Sequence, residues 1–183
     1  ERLSIVDPES GGQPLFTPDR KQILAVNGEI YNHRDIRRDM PEYEFQTQSD
    51  CEVVLALYKT RALTADDRKA AIQELFSTIS GIFAFALYDE ENDCYLIGRD
   101  PIGVIPLYIG RDKDGHVYVG SELKALEGFC DEYEPFLPGH YYWSVDGQMT
   151  KWYDREWMHS VPERRLSHEE SVKAVHDALE AAV

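Results

Sequence analysis

The apolar positions of this chain fall in short runs separated by turn residues. Gln22–Asn27, Gly81–Asp89, Tyr95–Arg99, Leu107–Gly110, His116–Ser121, His140–Val145 and Gln148–Tyr153 are rich in apolar, β-branched and aromatic residues and predict strands. Glu91-Asn92-Asp93, Lys113-Asp114-Gly115 and Asp146-Gly147 carry hairpin chemistry, because Asn, Asp and Gly tolerate positive φ. Arg2-Leu3-Ser4-Ile5-Val6-Asp7 also alternates, like a strand already under way. Helices are predicted over Arg34–Asp39, Asp50–Arg61, Ala65–Ser77 and Glu122–Leu126. Ser49 and Glu52 have the spacing of a capping box for the second of them, worth about 1 kcal/mol.

Near the end, Ser167 and Glu170 form a second capping box, and Val172, Val175 and Leu179 make an i, i+3, i+7 stripe. The polar stretch from His159 to Arg165, with Pro162, reads as a linker. Residues 1–157 are therefore expected to form one domain, and 158–183 a linker plus the first helix of another. Residue 1 is Glu rather than Met and the final helix has no partner, so the chain is expected to be cut at both ends. Hairpins grouped apart from helices predict an α+β fold with antiparallel sheets.

Composition narrows the function. With 43% hydrophobic and 11% aromatic residues the chain can build a core. Its formal charge of −15 repels a phosphate backbone, so no nucleic-acid partner is expected. Arg34, Arg37 and Arg38 alternate with Asp35 and Asp39 and read as a solvated helix face. Cys51, Cys94 and Cys130 lack metal or disulfide spacing, which points to reduced thiols and a cytoplasmic location. The histidines show no ligand spacing, so no metal is expected, and no apolar run approaches the roughly 20 residues of a membrane span.

Ala25-Val26-Asn27-Gly28-Glu29-Ile30-Tyr31-Asn32-His33 holds the most chemistry. Asn-Gly after an apolar strand has a plain reading, a two-residue hairpin turn. It has a functional one too: the Gly28 N–H and the Asn27 carboxamide are neutral donors able to converge on an oxyanion.

The neighbouring motifs favour the second. Arg2-Leu3-Ser4-Ile5-Val6-Asp7, Gly12-Gln13-Pro14-Leu15, Asn27-Gly28-Glu29-Ile30-Tyr31-Asn32, Ser49-Asp50-Cys51-Glu52, Gly81-Ile82-Phe83-Ala84-Phe85-Ala86, Gly98-Arg99-Asp100-Pro101-Ile102-Gly103 and Ser121-Glu122-Leu123-Lys124-Ala125-Leu126 follow in order. The series resembles the class II glutamine amidotransferases over about residues 1–157, most closely the glutaminase domain of glutamine-hydrolysing asparagine synthetases. The resemblance implies a four-layer αββα sandwich of the N-terminal-nucleophile hydrolase type, incomplete at its N-terminus. It implies that Arg2 clamps the glutamine α-carboxylate and that Asp50 and Glu29 hold the α-ammonium. Ile5 and Val6 line the pocket through backbone groups, while Asn27 and Gly28 form the oxyanion hole. Taken singly, Arg2 could be a surface ion-pair residue, Asp50 a helix-dipole partner and Cys51 a structural thiol. Arg99, Asp100 and Gly103 read as fixing a turn and a domain contact.

In the family the nucleophile is an N-terminal cysteine whose own amine serves as base. Residue 1 here is Glu, and no internal cysteine offers thiol and free amine on one residue. The chain alone is therefore expected to be inactive and to need no cofactor. ATP and Mg would belong to a synthetase domain downstream. Glutamine, that domain and a second copy in a homodimer are the expected partners. Two alternatives stay open: another class II amidotransferase, acting on a sugar-phosphate or purine precursor, and a non-catalytic module that kept the fold.

Overall fold

The computed structural model describes residues 6–7, 11–159 and 166–182. The chain divides into two compact units, residues 1–153 and 154–183.

The first unit is built on a six-stranded antiparallel sheet. It holds β1 (Leu15–Phe16), β2 (Gln22–Ile30), β3 (Gly81–Asp89), β4 (Cys94–Arg99), β8 (His140–Trp143) and β9 (Gln148–Lys151) in the order β1-β2-β3-β4-β8-β9. A smaller sheet holds β5 (Tyr108–Arg111), β6 (Val117–Gly120) and β7 (Glu132–Pro135) in the order β6-β5-β7. The predicted hairpins close as expected, with Asp93, Gly115 and Gly147 at positive φ in the three turns. β1 and β7 escaped prediction: one has two residues, and the Glu132-Tyr133-Glu134-Pro135 run is exposed throughout and carries no apolar period.

One face of the large sheet carries the helices α1 (His33–Arg38), α2 (Glu52–Leu57) and α3 (Arg68–Thr78). Strand alternation sends Leu24, Val26, Phe83, Phe85 and Leu96 toward them. At the centre, the Phe76 ring from α3 stacks on Phe85 at 5.5 Å and Tyr141 at 5.2 Å. Gly98 makes room for it, since a Cβ there would lie 2.3 Å from the Phe76 ring. The opposite face sends Ala84, Ile97 and Tyr142 against Ile109, Leu107 and Phe136, forming a second core between the sheets. The outer face of the small sheet is covered thinly. A single 3₁₀ turn, Leu123–Ala125, leads to buried Leu126, and Phe129 stacks on Tyr118. The α+β expectation of antiparallel sheets and separate helices is met, with the fourth layer reduced to this segment.

The differences lie at element ends. Asn27-Gly28 does not turn a hairpin: β2 runs through it to Ile30 and pairs with β3 along its whole length. The Ser49–Glu52 capping box is not made, because Cys51 occupies the N-cap and Glu52 turns backward. Its carboxylate accepts from Gln46 N at 2.7 Å and from Thr47 N at 2.8 Å, with Arg37 at 3.8 Å. Arg37 correspondingly leaves the solvated face expected of it. Its Nη2 donates to the carbonyls of Ser49 at 2.7 Å and Thr47 at 3.1 Å, and the guanidinium lies 4.1 Å above the Phe45 ring. The helix predicted to Arg61 is α2 followed by a π-helical turn, Tyr58–Ala62. α3 starts at Arg68 rather than Ala65, because Asp67 caps it by accepting from Ala70 N at 3.0 Å.

In the second unit α4 (His168–Ala182) has the expected capping box, Glu170 accepting from Ser167 N at 2.8 Å. Its Val172, Val175 and Leu179 stripe is exposed.

Candidate functional site

The end of β2 and the segment leading into α2 converge on one place. Asp50, 5% exposed, accepts the Ile30 N–H on Oδ2 at 2.7 Å. The adjacent Cys51 thiol approaches the Gly28 carbonyl at 3.6 Å and Asp50 Oδ2 at 3.6 Å. Two consecutive residues of the α2 entry thus hold the Gly28–Ile30 backbone, and the carboxylate of position 50 stands beside the strand that carries Glu29. Cys51 is buried and occupied in this contact, as a structural thiol is. Asn32 fixes the far end of the strand, donating to Thr78 O at 2.8 Å and accepting from Ser80 N at 2.9 Å.

Gly28 is demanded by geometry. Its φ is +135°, and a Cβ would meet Ile82 O at 2.0 Å and Phe83 Cα at 2.7 Å. Asn27 lies one residue earlier and pairs with Ala84, on the face between the sheets. It lines a cavity of about 320 Å³ with Gln13, Leu107, Val119, Gly120 and Ser121. Its Oδ1 is buried and makes no hydrogen bond among the described residues. Among the described residues that oxygen is not committed to holding the fold.

Gln13 is the residue that sequence reasoning quoted without giving it a task. Its side-chain amide pairs with Val26 like a strand neighbour, Nε2 donating to Val26 O at 2.6 Å and Oε1 accepting from Val26 N at 2.8 Å. That ties down the backbone immediately before Asn27. The signal was a lone glutamine before a proline, which no periodicity distinguishes.

His33, the first residue of α1, is half-buried, and its Nδ1 makes no hydrogen bond among the described residues. Burial pushes its pKa below the ordinary value; Asp50 pulls the other way, while Arg37 and Arg34 reinforce the depression. In the window below about 6.5 the folded state binds fewer protons at His33 than the unfolded state does. This share of stability is present above that window and is lost as pH falls through it. Replacing His33 with Gln is expected to flatten the stability–pH slope on the acid side of 6.5, in urea titrations run at several pH values. An unchanged slope would contradict the assignment. His116 has the opposite sign, its pKa raised by the hydrogen bond to Asp112 and by that carboxylate's charge, so the comparison must be made against the parent chain.

Arg2 and Ile5 lie outside the described residues. Val6 is half-buried, and Asp7 beside it accepts the Gln48 N–H at 2.8 Å, so the Val6–Asp7 segment runs along the loop leading to Asp50. Asp50 is thus brought to the backbone of the Gly28–Ile30 segment, with Val6 near its loop and Asn27 facing the inter-sheet cavity. Asp112, Asp114 and His116 at the β5–β6 turn also gather ligand atoms within 4.8 Å of one another, a grouping that spacing did not suggest. The Asp112 carboxylate there is occupied by the His116 ring at 2.8 Å and the Tyr118 hydroxyl at 3.2 Å.

The sequence and the fold have counterparts in known proteins. The profile of a glutamine amidotransferase domain matches residues 1–128. The chain belongs to that family. This amidotransferase domain is 45% identical over 99% of its length to asparagine synthetase B [glutamine-hydrolyzing] of Escherichia coli K12. It is 38% identical over 98% of its length to the asparagine synthetase [glutamine-hydrolyzing] of Asparagus officinalis. It spans only 31% and 29% of those relatives. Among solved structures it is similar to the glutamine phosphoribosylpyrophosphate amidotransferase of B. subtilis, with a TM-score of 0.65 and 26% identity. That match covers 78% of this domain and 32% of the other chain. A second, described as the allosteric regulatory enzyme of purine biosynthesis, has a TM-score of 0.66 and 28% identity, covering 80% and 32%. The stacked antiparallel sheets are those of the N-terminal-nucleophile amidotransferase fold.

Proposed function

We propose that the chain is the greater part of the glutaminase domain of a glutamine-hydrolysing asparagine synthetase, with Asn27, Gly28, Glu29 and Asp50 forming its glutamine site. One observation carries the reading: the Asp50 carboxylate is held against the β2 end by the Ile30 N–H, one strand position from Glu29. A carboxylate there suits an α-ammonium, which donates up to three charge-assisted hydrogen bonds, and Glu29 on the adjoining strand position is assigned as a second acceptor. The Arg2 guanidinium supplies the bidentate clamp for the α-carboxylate, and Ile5 and Val6 offer backbone groups to the same end of the ligand. At the amide end, Asn27 and the Gly28 N–H stabilise the oxyanion that forms when a thiolate adds to the amide carbon. Collapse of that adduct gives a thioester and ammonia, and water then releases glutamate.

The glutaminase reading puts the nucleophile on a segment outside residues 1–183. Between the sheets an apolar groove of about 310 Å³ runs along Ile23, Ala25, Ala86, Val117 and Val119. It is bordered by β6, an edge strand among the described residues, and Ala25 in it is exposed. Such a groove fits an extended apolar segment pairing with β6, which would present its reactive residue to the Asn27 cavity. The same reading gives ATP and Mg to a downstream domain, where the released ammonia would be consumed in amidating aspartate. The chain itself holds no phosphate-cradling glycine loop. The proposal carries a cytoplasmic enzyme and a homodimer with it.

Titrating the chain calorimetrically with glutamine tests the site. Saturable heat is expected, lost by at least tenfold in affinity on Asp50→Ala, since removing a charge-assisted partner costs on the order of 1.5–3 kcal/mol. Equal heats from both proteins would defeat the assignment. Ammonia release by the isolated chain should not exceed the blank.

A further inference from the structure

We propose that the loop Pro101–Pro106 together with Leu137-Pro138 is a preformed docking platform for the folded domain that follows this one in a chain of the relatives' length. The inference rests on the reading above, which places such a domain downstream.

The platform is apolar, exposed and free of charge. Ile102 is 80% exposed, Val104 54% and Leu137 50%. No ionisable residue occurs in 101–107 or 136–139, although 29% of the chain is charged. Exposed apolar patches without charge mark interfaces on soluble proteins, where charged residues are depleted at the centre.

The loop is rigid by construction. The Asp100 carboxylate, 1% exposed, accepts four successive backbone N–H groups: Ile102 at 3.1 Å, Gly103 at 2.6 Å, Val104 at 3.1 Å and Ile105 at 3.2 Å. The Arg99 guanidinium binds the two halves together from behind. It donates to Ile105 O at 2.8 Å, Gly103 O at 2.9 Å and Phe136 O at 2.6 Å. Both charged groups are bonded to the loop backbone, and the exposed side chains of the motif are apolar. A surface fixed before contact loses little conformational entropy on binding.

Position in the chain selects the occupant. Gly139, next to the platform, donates its N–H to Asp100 O at 2.8 Å and accepts those of Trp152 at 2.9 Å and Tyr153 at 3.1 Å. Tyr153 is the last residue of the first unit, so the chain leaves beside the platform. A domain tethered there meets the surface at an effective concentration of roughly millimolar, with no second copy required. Relatives spanned to only 31% and 29% by this chain have ample length for one.

The test uses a protein extended to the relatives' length and the triple variant I102S/V104S/L137S. The parent should unfold in one cooperative thermal transition, and the variant in two. In the present chain the same substitutions should leave the melting temperature within about 2 °C, since the side chains are exposed. Leu137→Ser alone should weaken the coupling partially and serves if the triple variant does not fold. A single unchanged transition in the variant overturns the proposal while leaving the glutamine site intact. So does a concentration-dependent dimer of the present chain that the substitutions dissolve, because the occupant would then be a second copy. An extended sequence with no folded domain after Val183 overturns this proposal together with the synthetase reading, whereas intact glutamine binding beside it keeps the site assignment.

Discussion

Replacing Asp100 with alanine is expected to destabilise the chain by about 4–5 kcal/mol, a large share of the roughly 5–15 kcal/mol available to a domain. The residue is 1% exposed and its carboxylate receives four backbone N–H groups. Each donor left unmet in a buried place costs about 1–3 kcal/mol, and the lower end applies because water can reach part of so exposed a loop. The backbone itself is at stake too, since Asp100 N donates to Phe83 O at 2.8 Å and its carbonyl receives Gly139 N at 2.8 Å. Asparagine should cost less. Three of the four bonds go to Oδ1 and one, from Ile105, to Oδ2. An amide placing its oxygen at Oδ1 keeps three accepted bonds and sets its NH2 against the Ile105 N–H. Urea denaturation at neutral pH should rank Ala well below Asn. A loss under about 1.5 kcal/mol for alanine would show that water replaces the carboxylate.

Gly28→Ala is expected to cost about 2–5 kcal/mol. Two penalties add: positive φ, about 1–2 kcal/mol for an L-residue, and overpacking against the neighbouring strand, about 1–3 kcal/mol. The clash has no soft side, because the nearest atoms are Ile82 O at 2.0 Å and Phe83 Cα at 2.7 Å, both backbone. β2 must separate from β3 or flatten, and either shift displaces Asn27 and Ile30, the neighbours that carry the cavity wall and the Asp50 contact. Loss of glutamine binding should therefore accompany the fall in stability. If the alanine protein keeps both to within about 1 kcal/mol, the strand is more pliant than its register implies.

What could be read in advance divides along physical lines. β3 was read with its observed ends because its nine residues are bounded by a turn on one side and Gly81 on the other. The three turns are legible because Asn, Asp and Gly make positive φ inexpensive, and Asp93, Gly115 and Gly147 adopt it. Asn27-Gly28 carries the same local chemistry but makes no turn. Its glycine answers a tertiary demand, the approach of Ile82 O, which no local pattern encodes. Ser49–Glu52 failed likewise, since the Gln46 and Thr47 amides and Arg37 outcompeted the helix end for the Glu52 carboxylate. The site residues were named by resemblance rather than by period. Asp50 looks like any acidic residue at a helix start until the fold delivers the Ile30 N–H to it. Gln13 shows the limit from the other side, because its pairing with Val26 spans 13 positions and leaves no trace in spacing.

In the proposed site, cationic, anionic and amide groups from separate segments enclose one free amino acid, each end held by a different chemistry. Glutaminase kinetics on a protein extended to the relatives' length, comparing Asp50→Ala with Asn27→Ala, tests that division most directly. Asp50→Ala should raise KM at least tenfold, because it touches the amino-acid end. Asn27→Ala should lower kcat by about 10²–10³ with KM little changed, as for an oxyanion donor worth about 2.7–4 kcal/mol. Both variants changing KM alone, or neither changing either constant, would contradict the account.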